Sequence, residues 1–108
     1  EVYDNMWQKV RSIWLYIHDN FMDDYDFFWL GGDDVHLIVE NLRNYLWSLR
    51  DSIGEDRLLS EPLFLGALAP YTHNKEVEAE SYFVLGGGGY VLNKVTLSRI
   101  ATENFLSC

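Results

Sequence analysis

The chain is poor in cysteine, proline and positive charge. Its one cysteine is the last residue, Cys108, and it has two prolines in 108 residues. A disulfide framework within the chain is excluded, and a lone thiol says little about redox compartment. Its position admits two readings: a free thiol on a frayed end, or half of a bridge whose partner follows downstream. Eight Lys and Arg stand against 17 Asp and Glu, a formal net charge of −9. Nucleic-acid binding draws on a basic surface, so this balance counts against it. A small anionic ligand would have to be met by a metal ion or by backbone N–H groups, not by bulk charge. No apolar run approaches the roughly 20 residues that span a bilayer. The opening Glu1-Val2-Tyr3-Asp4 has no basic segment with an apolar run after it, so no signal peptide is read there.

What is present is core material: 48% of the residues are hydrophobic and 16% aromatic, which argues against disorder. The length suits one small domain. Met6, Val10, Ile13, Trp14, Ile17 and Phe21 recur at helical spacing, with Asp4 placed to cap that helix. The run Phe27-Phe28-Trp29-Leu30 reads as a buried strand, of the kind found in the centre of a parallel or mixed sheet. Helical spacing returns from Val35 through Ile38, Leu42, Tyr45, Leu46 and Leu49. Residues 51–61 read as loop, residues 63–67 as a second buried strand and residues 72–80 as an exposed charged segment. A third strand over residues 82–85 ends in Gly86-Gly87-Gly88-Gly89, and a last helix follows Asn93, a good N-cap, with Leu97, Ile100 and Ala101 inward. This order predicts an α/β layered fold.

Two segments can carry chemistry. Gly31-Gly32-Asp33-Asp34 stands at the carboxyl end of a strand and before a helix, the edge where open α/β sheets bind ligands. Its carboxylates are hard oxygen ligands for Mn²⁺ or Mg²⁺, and such an ion can neutralise a diphosphate. Capping competes with this reading and is the commoner use of such acids, each worth about 0.3–1 kcal/mol at a helix N-terminus. The glycine run lacks the Gly-Lys-Ser/Thr of a P-loop, and Val91 stands where a dinucleotide fingerprint needs its third glycine. It reads either as a ligand-lining loop or as a tight strand-to-helix connection. His18, His36 and His73 do not cluster, though His36 can join Asp34 on a metal. No serine or cysteine has the neighbours of a nucleophile motif. Trp7, Trp14, Trp29 and Trp47 read mostly as core, with sugar stacking as the other use.

Taken together and in order, four segments resemble a known family. The helix from Trp7 to Asp19, the stretch from Asp26 through Asp33-Asp34 to Glu40-Asn41-Leu42-Arg43, the strand Leu63-Phe64-Leu65-Gly66, and Gly86-Gly87-Gly88-Gly89-Tyr90-Val91-Leu92-Asn93-Lys94 are similar to core 1 β-1,3-galactosyltransferases. These belong to the fringe-like glycosyltransferase family 31. The resemblance implies part of a GT-A domain, a Rossmann-like α/β/α sandwich. Residues 1–108 would be its central to C-terminal portion, with the membrane anchor, the N-terminal strands and the catalytic segment outside it. It implies metal-dependent, inverting transfer from a UDP-sugar, galactose to the N-acetylgalactosamine of a glycoprotein O-glycan, on the lumenal side of the Golgi membrane. Asp34 would bind Mn²⁺ (or Mg²⁺), and Asp33 would face the nucleotide-sugar. Gly86, Gly87, Gly88, Gly89 and Tyr90 would line the acceptor side.

Departures qualify the carry-over. Gly32 replaces the first Asp of the family's acidic triplet, and Leu30 stands where a basic residue is usual. The family's catalytic base would lie beyond Cys108, so the segment alone is expected to be inactive. A non-catalytic relative, acting as a chaperone for a glycosyltransferase, is the alternative that Gly32 keeps open. The secretory setting implied by the family predicts that Cys108 is disulfide-bonded to a downstream partner in the intact protein. Mass mapping without reduction checks this; an unmodified thiol at Cys108 contradicts it.

Overall fold

The computed structural model describes residues 5–70 and 82–104. The expectations for Asp4, for residues 72–80 with His73, and for Cys108 fall outside them. The order is α1 (Met6–Phe21), β1 (Phe27–Leu30), α2 (Val39–Ile53), α3 (Glu55–Ser60), β2 (Phe64–Pro70), β3 (Tyr82–Asn93) and α4 (Lys94–Arg99), then a π-helical turn, Ile100–Asn104. The α/β expectation holds: helices accompany a three-stranded sheet of order β1-β3-β2.

The strands depart from expectation in three ways. First, β1 is not central among the described strands: there it pairs with β3 alone, antiparallel, and its four residues are half-buried. A short apolar run cannot report whether one face or both faces are covered. Second, β2 also runs antiparallel to β3, so no adjacent pair among the described strands is parallel. Third, β3 continues through the glycine run to Asn93. Its pairing with β2 jumps there: Gly66 faces Tyr90, but Ala67 faces Leu85. Residues 86–89 therefore have no partner on β2, and the glycine run is an extended bulge inside a strand.

Two helical boundaries also move. Residues 51–61 are not loop; α2 runs to Ile53, and α3 follows directly. Gly54, at φ +91°, allows the sharp change of direction between them, and its N–H caps the Arg50 carbonyl. Polar composition disguised α3 because it buries one residue, Leu58. At its other end α2 starts at Val39, not Val35.

The main hydrophobic cluster lies on one sheet face. Phe28 pairs with Leu92 and Leu30 with Tyr90, so these four share a face. Trp14 of α1 and Leu97 of α4 pack with Leu92, and Val10, Ile17 and Ile100 close the cluster. The Trp14 indole N–H donates to the Tyr90 hydroxyl at 2.9 Å, which satisfies the polar end of a 2% exposed side chain. Phe64 stacks at an angle on Tyr90 with centroids 5.1 Å apart.

Asn93 fastens the other end of β3. It caps α4 as its residue type predicts, with Oδ1 accepting from the Thr96 N–H at 3.0 Å. The same oxygen accepts from the Leu63 N–H at 3.1 Å, while Nδ2 donates to the carbonyls of Leu58 at 3.0 Å and Glu61 at 2.6 Å. The side chain is 0% exposed. A flipped amide would set Nδ2 against two N–H groups, so these partners fix its orientation. Asn93→Ala would leave buried amide and carbonyl groups without partners and remove a cap. The expected loss is about 3 kcal/mol, read as a lower midpoint in urea unfolding.

Candidate functional site

The turn after β1 is built from Gly32 to Val35, closed by the Val35 N–H donating to the Gly32 carbonyl at 3.2 Å. Asp33 and Asp34 occupy its two central positions, and both are exposed. Among the described residues neither carboxylate has a hydrogen bond or an ion pair. The capping explanation fails here. The N-cap residue of α2 is Ile38, no side chain caps the helix, and the acid in its first turn is Glu40. The field of a helix terminus falls off within its first turn, so acids four and five positions ahead of Ile38 gain little from it.

Backbone register brings the two sequence motifs together. Leu30 faces Tyr90, so β1 runs out beside the end of the glycine bulge. The acidic turn and the glycine segment are neighbours, although the glycines lie within a strand and not in a loop after one. Tyr90 itself faces the core, through its bonded hydroxyl and its contact with Phe64.

Trp29 explains two of the glycines. It lies on the sheet face opposite the core, and its indole covers Gly31 and Gly89. A Cβ on Gly89 would meet the indole at 2.6 Å, with Nε1 at 2.9 Å, and a Cβ on Gly31 would fall inside the ring contact distance. Gly89 is also held at φ +82°, which L side chains rarely adopt. Gly88 has open space around it, and a Cβ on Gly32 would meet only the Asp34 carboxylate, at 2.8 Å. An aromatic ring laid over strand glycines covers backbone that they leave bare. The sequence signal for this was the tryptophan two positions before the first glycine pair, read there mostly as core, with sugar stacking as the other use.

No group of three or more His, Cys, Asp or Glu able to hold a metal is present among the described residues. The donor set at the turn is two adjacent carboxylates, with His36 exposed two positions further on. This fits a partly hydrated Mg²⁺ or Mn²⁺ bound through one or two carboxylates plus phosphate oxygens, and not an all-protein cage.

A separate groove of about 300 Å³ opens between α2, α3 and the start of β1. Arg43, Trp47 and Arg50 line it, and Arg50 stacks on the Trp47 ring at 4.3 Å. Neither acid of the turn reaches it. Among the described residues no helix is long and apolar enough to cross a membrane.

No protein-family model and no solved structure matches the chain. Chondroitin sulfate synthase 3 of Mus musculus and of Homo sapiens are each 30% identical to it over 91 residues. The match covers 79% of this chain and 9% of each relative, so the chain spans under a tenth of the relatives' length. The likeness supports a relationship with glycosyltransferases in general and does not reach the core 1 galactosyltransferases in particular.

The glycine geometry gives a direct test. Gly89→Ala meets both a ring and an unfavourable φ, and is expected to cost about 3 kcal/mol. Gly88→Ala should stay within about 0.5 kcal/mol of the parent. Denaturant melts of the two variants check the contrast.

Proposed function

We propose that this chain is the nucleotide-sugar-binding segment of a metal-dependent glycosyltransferase. The observation that carries the reading is the Asp33-Asp34 pair, exposed, without a side-chain partner among the described residues and set beside the glycine bulge. The likeness to chondroitin sulfate synthase 3 supports the same class independently. The finer form that the motifs suggest is a GT-A enzyme of the Golgi lumen. It would transfer galactose from UDP to the N-acetylgalactosamine of a protein O-glycan, with inversion. The relatives' name, chondroitin sulfate synthase, suggests a chondroitin chain instead; a donor and acceptor screen distinguishes the two.

In this reading Asp34 holds the divalent ion and Asp33 bonds to the nucleotide-sugar. A bound Mn²⁺ or Mg²⁺ would supply charge neutralisation at the diphosphate leaving group. The backbone of residues 86–89, free of pairing to β2, lines the acceptor side with Tyr90 at its end. We assign no catalytic base within the chain. The second reading, a non-catalytic glycosyltransferase chaperone, is favoured by one observation: Gly32 supplies no third carboxylate to the turn.

Asp34→Asn separates the possibilities. The amide keeps the size and removes the charge that a hard cation needs. As Asp34 neither caps α2 nor pairs with a described residue, thermal melts in chelator should barely change. Transfer in the intact protein is expected to fall at least about 100-fold, since even outer-shell changes cost 10–100-fold. Asp33→Asn should be milder. Initial rates against Mn²⁺ concentration measure both, and full activity of Asp34→Asn refutes the metal reading.

A further inference from the structure

We propose that Trp29 is a positioning residue that braces the acidic turn against β3, so that Asp33 and Asp34 are presented in one geometry. The inference rests on the reading of that turn as the ligand site.

Among the described residues, few polar contacts hold the turn, although Val35 is half-buried. Pairing of β1 with β3 ends at Leu30↔Tyr90, one residue before Gly31. Within the turn there is one backbone hydrogen bond, Val35 to Gly32, at 3.2 Å. Neither aspartate is tied by its side chain among the described residues. The next element, α2, buries none of its side chains. Against this stands a bulky ring in contact with the backbone at both ends of the junction, Gly31 on one strand and Gly89 on the other. The two contacts lie on separate chain segments, so the indole clamps the exit of β1 to the end of the bulge. The glycines are its seat: with any Cβ at either position the ring could not lie there.

Because Trp29 touches neither the proposed cation nor the sugar in this argument, it acts through the turn. Its removal should therefore loosen residues 31–35 and spread the carboxylate positions. A pair of carboxylates already costly to hold together loses cation affinity when it is not preorganised.

The experiment measures two quantities on the intact protein: hydrogen exchange at the Val35 amide, whose bond to Gly32 closes the turn, and affinity for Mn²⁺ with UDP by calorimetry. Trp29→Leu should speed exchange and weaken Mn²⁺–UDP binding, each at least about tenfold. Trp29→Phe lacks the outer indole atoms that meet Gly31, so it should also speed exchange and weaken binding, by less than Trp29→Leu. Gly31→Ala displaces the ring without deleting core atoms, and should match Trp29→Leu; it serves where the leucine variant folds poorly by circular dichroism. Unchanged exchange in both Trp29→Leu and Gly31→Ala overturns the brace. So does faster exchange with unaltered affinity in a protein whose Mn²⁺–UDP binding depends on Asp34. If Asp34→Asn leaves that binding unaltered while Trp29→Leu still frees the turn, the brace stands and the metal reading falls.

Discussion

The fold depends on one buried amide. Asn93 ends β3, begins α4, and reaches across to the carbonyls that close α3 and to the first amide of the segment entering β2. Thr96 completes the arrangement: its hydroxyl accepts from the Leu63 N–H at 2.7 Å, and its single proton serves either the Leu63 carbonyl or Asn93 Oδ1, each at 2.9 Å. Beside it the Lys94 N–H donates to the Asp26 carbonyl at 3.1 Å and ties the start of β1 to the same corner. Three elements distant in sequence thus converge on the end of β3. With that end fixed, the pairing of Phe27 with Asn93 sets the whole β1 register. The register in turn decides that Leu30 meets Tyr90 and that the acidic turn leaves the sheet beside the glycine bulge. The candidate site is thus placed by an interaction at the far end of the same strand pair.

The two faces of the sheet divide the aromatic work. On one, Trp14, Tyr90, Phe28 and Leu92 form a core in which the indole N–H has a partner. On the other, Trp29 lies over glycines. A strand alternates its faces, so the tryptophan and the neighbouring Phe28 and Leu30, one continuous apolar run in sequence, serve different purposes. This is why the run misled as to position. Four apolar residues in a row signal burial on both faces, yet all four are half-buried here: Phe28 and Leu30 meet the core, Phe27 lines the groove beside α2 and α3, and Trp29 lies over glycines.

Elements with a strong local signal were legible. The helix Met6–Phe21 follows from its spacing, and the start of α4 follows from Asn93, a residue whose side chain matches the needs of a helix N-terminus. The reach of the same side chain to Leu58 and Glu61 was not legible, since nothing local marks a contact more than 30 residues away. The late start of α2 escaped because Val35 and Ile38 happen to fit helical spacing while belonging to the turn and the cap position. The glycine run was recognised as special but read as a ligand-lining loop or a connection after the strand. Its place inside β3 depends on a register jump that only the partner strand reveals. The candidate site was legible as a motif; its neighbours, and the brace of Trp29, needed the register.

The acidic pair is the feature that stability explains least. Capping would have justified Asp33 and Asp34 at no cost, but Ile38 occupies the N-cap position of α2 and the acids precede it by four and five residues. Ion pairing would have done so too, but none holds them among the described residues. Adjacent carboxylates repel one another, and they do so on a chain already at −9. Gly32 beside them is not sterically obliged: a Cβ there would meet only the movable end of the Asp34 side chain. A pair that no described residue neutralises is what the proposed reading accounts for: hard oxygen donors at the edge of a sheet suit a divalent cation.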